Sequence, residues 1–158
     1  MVRMAMLALL PLVLANWTPP GDNIDRFSDT AEVTETTVDA SDQDAAKSMA
    51  FGRFYVSKRD YLAAINRFRI VLTQYPASPY VEEALARLAE SCLSLLSEVP
   101  PGTKLNREFL ASEAQTAVAI LDRKFPDSHL SIEVHAALRS AGLEPVENEK
   151  SWISRAFK

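Results

Sequence analysis

AKSMAFGRFYVSKRDYLAAINRFRIVLTQYPAS, residues Ala46 to Ser78, decides how this chain is read. A polar break at Ser57-Lys58-Arg59-Asp60 divides it into two apolar stripes. The second stripe is Tyr61, Ala64, Ile65, Phe68, Val71, Leu72 and Tyr75, stepping at the period of one helix face. Asp60 is placed to cap that helix, because its carboxylate can accept from the free N–H groups of the first turn. Pro76 ends it. The first stripe, Ala46, Met49, Ala50, Tyr55 and Val56, is less regular, but it holds no proline and only Gly52 as a weak helix former.

Two helices joined by a short polar break make a hairpin, and small residues sit where they would cross. Gly52 and Ala64 let the backbones approach, while Tyr55 and Phe68 fill the space beside them. The order Gly52, Tyr55, Ala64, Phe68, Pro76 reproduces tetratricopeptide spacing within a unit of about 34 residues. The plainer alternative is an ordinary helical hairpin.

The chain has 158 residues, enough for one domain and a segment to spare. Its 17 basic and 21 acidic residues argue against bulk nucleic-acid binding. One cysteine, Cys92, rules out an internal disulfide framework. A mean hydropathy near zero suits a soluble, packed protein. Residues 1–15, MVRMAMLALLPLVLA, place one Arg ahead of a short apolar run and are expected to be an export signal; a mis-assigned start or a helix remnant of a longer protein is the alternative. A lipoprotein signal would need Cys after the small residue, and Asn16 stands there, so no lipid anchor is expected at that point. Residues 16–43 are rich in Asp, Glu, Thr and Pro and are expected to form a disordered acidic linker, too poor in apolar surface to offset its ordering entropy.

Beyond the hairpin, Ser78 is expected to cap a third helix with Pro79 in its first position and Glu82 and Glu83 near the positive end of its dipole. Its stripe is Val81, Leu85, Leu88, Cys92, Leu95 and Leu96, which makes Cys92 a small buried hydrophobe and not a nucleophile. SEVPPGTKLN, Ser97 to Asn106, breaks the pattern. A fourth helix is expected from Arg107 to Lys124 with Leu110, Ala114, Ala117, Val118 and Leu121 inward. Ala114, Val118 and Pro126 repeat the roles of Ala64, Phe68 and Pro76, so a second repeat carries a loop insertion between its helices. A fifth helix, about Leu130 to Ala141, ends at Gly142 with Val134, Leu138 and Ala141 on one stripe. His129 and His135 have no neighbouring Cys or His and read as surface or capping residues, with no metal site.

The last segment is LEPVENEKSWISRAFK. Trp152, Ile153, Ala156 and Phe157 share a face if Ser151 caps a short helix. Such a face binds a partner groove or a membrane surface, or else folds back onto its own repeats. The expected fold is therefore all-α: tetratricopeptide-like hairpins stacked as a short α-solenoid, a repeat domain over 44–142 with about five helices, and an amphipathic tail over 143–158. There is no Ser/His/Asp set, no paired acid in an evident cleft and no phosphate-cradling glycine loop, so neither catalysis nor a cofactor is expected.

FGRFYVSKRDYLAAINRFRIVLTQYP, PYVEEALARLAE, SEAQTAVAILDRKFPDS and GLEPVENEKSWISRAFK, in that order, resemble the C-terminal half of the BamD family, most closely its alphaproteobacterial members. These are the tetratricopeptide lipoproteins of the machine that inserts β-barrels into the bacterial outer membrane. The resemblance covers about Asp44 to Lys158. It implies a non-enzymatic scaffold at the periplasmic side of the outer membrane, docked on the POTRA region of BamA and on other subunits of the assembly complex. Unfolded outer-membrane proteins are further expected partners, and without the lipid-bearing Cys membrane association would run through those partners. Arg67, in the A-A-x-N-R run, is similar to the Arg tied to communication with BamA, and Asn66 beside it would bond across the hairpin or to the partner. Trp152 and Phe157 are the expected contacts of the tail. The alternative is a free periplasmic peptide-binding adaptor or holdase. The chain departs from the family at Arg59, where Gly is usual, in the insertion at Ser97 to Asn106, and ahead of Asp44, where the acidic linker stands in place of the family's N-terminal repeats.

Overall fold

Helix α1, Ala40–Ser57, and helix α2, Tyr61–Gln74, form the first hairpin of a computed structural model that describes residues 40–98, 100, 102 and 106–157. The leader and most of the acidic linker lie outside those residues. α1 begins ahead of the boundary expected at Asp44. Its inward residues are Ala45, Met49 and Gly52, with Tyr55 and Val56 partly buried against the core. Ala46 and Ala50 do not belong to the buried set. Alanine carries little apolar signal, so a stripe read through it slips by one residue without a visible cost.

The turn that follows is a Schellman motif. Arg59 takes the left-handed conformation, φ 60°. Its N–H donates to the Val56 carbonyl at 2.9 Å, and the Asp60 N–H donates to the Tyr55 carbonyl at 3.0 Å. Asp60 then caps α2, accepting from the Ala63 N–H at 3.1 Å. One residue thus closes one helix and opens the next.

α3, Val81–Glu98, and α4, Arg107–Lys124, form the second hairpin. α3 starts after a turn in which the Tyr80 N–H reaches Ser78 Oγ at 3.2 Å, so Ser78 and Pro79 belong to the turn and not to the helix. Asn106 caps α4 by accepting from the Phe109 N–H at 2.9 Å. The inward face of α4 contains Leu110, Ala114, Ala117, Val118 and Leu121. The two hairpins end alike. Tyr75 and Phe125 each donate a backbone N–H back to Val71 and Leu121, and each carbonyl then accepts from a buried serine, Ser78 or Ser128, at 3.0 Å. This shared aromatic-Pro-x-Ser terminator is the structural form of the internal repeat.

α5, His129–Ser140, stops at Gly142, φ 71°, in a second Schellman motif with Leu143 donating to the Leu138 carbonyl at 3.1 Å. Val134 and Leu138 are buried, whereas Ala141 is exposed. α6, Trp152–Ala156, lies in the tail. Each of the first four helices packs on its successor, α3 also meets α5, and α6 turns back onto α4 and α2. The fold is all-helical, a tetratricopeptide-like stack, and no strand occurs among the described residues. One core cluster runs from Met49 through Phe68, Leu88, Cys92 and Leu121 to Ile153 and Phe157.

Candidate protein-interaction site

The first hairpin presents side chains from a keyed crossing. A Cβ built on Gly52 would lie 2.4 Å from the Phe68 ring, so glycine is required for this approach. Phe68 and Ala64 are fully buried beneath it, Tyr55 is half-buried and Pro76 exposed. On the other side of α2, Asn66 is exposed and Arg67 is half-buried, its guanidinium 5.2 Å from the Phe51 ring centroid. Phe51 and Phe54 keep 43% and 53% of their surface exposed, as does Leu62 at 53%. Lys58 lies over the Phe54 ring at 5.6 Å. Arg53 ties α1 to α3 by a two-pronged bond to Glu83, with Nε donating to Oε1 at 2.8 Å and Nη2 to Oε2. That bond, ahead of the opposing effect of burial, holds the Glu83 carboxyl below the usual carboxylate range and keeps the pair ionised.

A second constellation lies between α2, α4 and α6. Glu113 is 2% exposed, a charge inside the stack. Arg69 Nη2 donates to its Oε2 at 2.9 Å, and the Trp152 indole N–H donates to its Oε1. The guanidinium of Arg69 also lies 4.9 Å from the Trp152 ring centroid and 6.0 Å from that of Phe109. Phe157 is 8% exposed and sits under the Lys124 ammonium at 4.6 Å. The segment leading to α6 is strapped along α4: Gln115 Nε2 donates to the Glu144 carbonyl at 2.8 Å, and Asn148 Nδ2 to Ser112 Oγ at 3.1 Å. Of the two alternatives open to the tail, the structure takes the folded-back one. Trp152 and Phe157 are engaged with the chain's own helices, apart from Arg67 and Asn66.

A family model described as an outer membrane lipoprotein, YfiO, matches residues 27–104. The outer membrane protein assembly factor BamD of Caulobacter vibrioides is 30% identical over 138 residues, which is 85% of this chain and 41% of that protein. The BamD of Rickettsia prowazekii is 32% identical over 110 residues, 68% of this chain and 39% of that protein. The chain belongs to the BamD family. It spans about two fifths of the length of these curated relatives. No solved structure matches it.

Two further residues, Arg69 and Glu113, organise the tail. Their signal is in the sequence. Glu113 interrupts the inward stripe of α4 between Leu110 and Ala117, and Arg69 falls between Ile65 and Leu72 on α2. A charge on an apolar stripe needs a buried partner, and here each is the other's. His135 Nε2 donates to the Asp122 carboxylate at 2.8 Å, and Ser131 Oγ donates to the same carboxylate at 2.6 Å, a polar tie between α5 and α4. Among the described residues no group of His, Cys, Asp and Glu could hold a metal ion, and no helix is long and apolar enough to cross a membrane.

Proposed function

We propose that this chain is a non-enzymatic scaffold of outer-membrane protein assembly, working at the periplasmic face of the outer membrane by docking on the POTRA region of BamA through Arg67 and Asn66. The observation that carries the reading is the Arg67 guanidinium laid on the Phe51 ring beside exposed Asn66, in a chain whose curated relatives bear the name of assembly factor. A guanidinium held over an aromatic ring is restrained, and its planar fork matches a carboxylate in two parallel bonds. The hairpin behind it is keyed by Gly52 and Phe68, so the fork is presented from a rigid element.

The test is capture of a purified BamA POTRA region by the full chain. Arg67→Ala is expected to weaken capture at least tenfold, and Arg67→Lys to restore little of it, since an ammonium keeps the charge and loses the fork. Equal capture by Arg67→Ala takes Arg67 out of the interface. A second reading rests on the exposed Phe51, Phe54 and Leu62: a holdase that covers unfolded barrel proteins. Suppression of aggregation of an unfolded outer-membrane protein, without POTRA binding, selects it.

A further inference from the structure

We propose that the groove between α2 and α4 is a peptide-binding site, occupied in this structure by the chain's own tail and open to a partner's short amphipathic helix bearing Trp, an aliphatic residue next to it, and an aromatic one turn further on. Three features carry this beyond a structural role for the tail. The first is the seat itself. Its polar centre is a buried carboxylate, Glu113, aimed at an indole N–H, with the Arg69 guanidinium covering the indole face. Ile153 and Phe157 fill the apolar remainder, so the tail supplies the template of the ligand.

The second is that the tail leaves the seat incompletely satisfied. Arg69 Nε and Ser154 Oγ are both buried without a hydrogen-bond partner. A ligand that brought an acceptor to Arg69 Nε, and placed a methyl group where Ser154 puts a hydroxyl, would bind the same groove better than the tail does. The third is access. A 240 Å³ opening beside the indole is lined by Phe109, Ser112 and Glu113 of α4 and by Asn148, Lys150 and Trp152 of the tail, so solvent reaches the seam between tail and groove while the Glu113 side chain stays buried. α6 is five residues long and packs mainly on α4 and α2. A helix this short is not stable apart from its seat. The site is separate from Arg67 and does not rest on POTRA docking.

The test uses the full chain and, as probe, a fluorescein-labelled peptide with the sequence of residues 148–158, read by polarisation. Trp152→Ala in the chain removes the latch and leaves the groove. It is expected to bind the probe at least tenfold more tightly than the native chain. A probe carrying Trp152→Phe, which lacks the N–H, should bind it at least tenfold more weakly, and a probe carrying Ser154→Ala more tightly. Native helicity of the variant is checked by circular dichroism. A folded Trp152→Ala chain that binds the probe no better than the native chain overturns the proposal. Phe157→Ala loosens the other end of the tail and is read in the same way. If both variants unfold, the tail is part of the fold and not a displaceable occupant, and the proposal also fails.

Discussion

Gly52 and Arg59 illustrate opposite uses of one backbone freedom. At Gly52 the helix is regular and the issue is space: the Phe68 ring, fully buried, occupies the volume a Cβ would need. Overpacking of that kind costs typically about 1–3 kcal/mol, and the helix preference of Ala over Gly returns up to about 1 kcal/mol. The clash wins because Phe68 has no free side toward which to move. Gly52→Ala should lower the unfolding free energy by about 1–2 kcal/mol in urea, and Phe68→Leu added to it should cost less than the two changes summed. At Arg59 space is free and the issue is φ. A side chain at φ 60° is strained, and the ion pair to Glu98 at 2.8 Å, with the Arg side chain 76% exposed, offsets little of that. Arg59→Gly should raise the midpoint of thermal unfolding by roughly 3 °C, with circular dichroism as the readout; a lower midpoint would mean the ion pair outweighs the strain.

At the level of elements, sequence pattern served best where apolar side chains are large and caps are local. α4 runs from Arg107 to Lys124 as the stripe and the two proline-bearing breaks dictate, and Asp60 caps α2. It served worst where the stripe is made of alanine, as in α1, and where the decisive contact joins residues far apart, as Arg69, Glu113 and Trp152 do. Periodicity marks which face is inward; it does not say that a charge on that face has found its counterpart across two helices. That contact is also where α2, α4 and α6 are coupled most directly. Removing Glu113 strips an acceptor from a guanidinium and an indole together. Glu113→Ala should cost about 1–3 kcal/mol, since it takes the acceptor from both groups. Arg69 is 34% exposed and can recover water, so Arg69→Ala should leave the heavier burden on Glu113. The double variant should cost about 1–2 kcal/mol less than the sum of the single ones. Strict additivity in that cycle would mean the two side chains do not act as a pair.

For the six-helix unit as a whole, the question is whether it unfolds in one step. Tetratricopeptide-like repeats touch only their neighbours, and longer arrays of such units lose stability piece by piece. Here a single core cluster joins α1 at Met49 to the tail at Phe157, and the tail crosses from α4 back to α2, so the outer hairpin and the last segment share a contact that a simple stack would not give them. Cys92 is a built-in reporter. It is fully buried in α3, and burial, with the Glu113 charge adding to it, pushes its thiol well above the ordinary range. A thiol reagent should therefore modify Cys92 only through opening of the core, at least about 10³-fold more slowly than in denaturant. If the unit opens in one step, Gly52→Ala in the first hairpin and Glu113→Ala in the second should each accelerate Cys92 labelling by the factor that matches its loss of stability in urea. Acceleration by Glu113→Ala alone would show that α1 and α2 detach separately, and that the strap of the tail does not bind the two hairpins into one cooperative body.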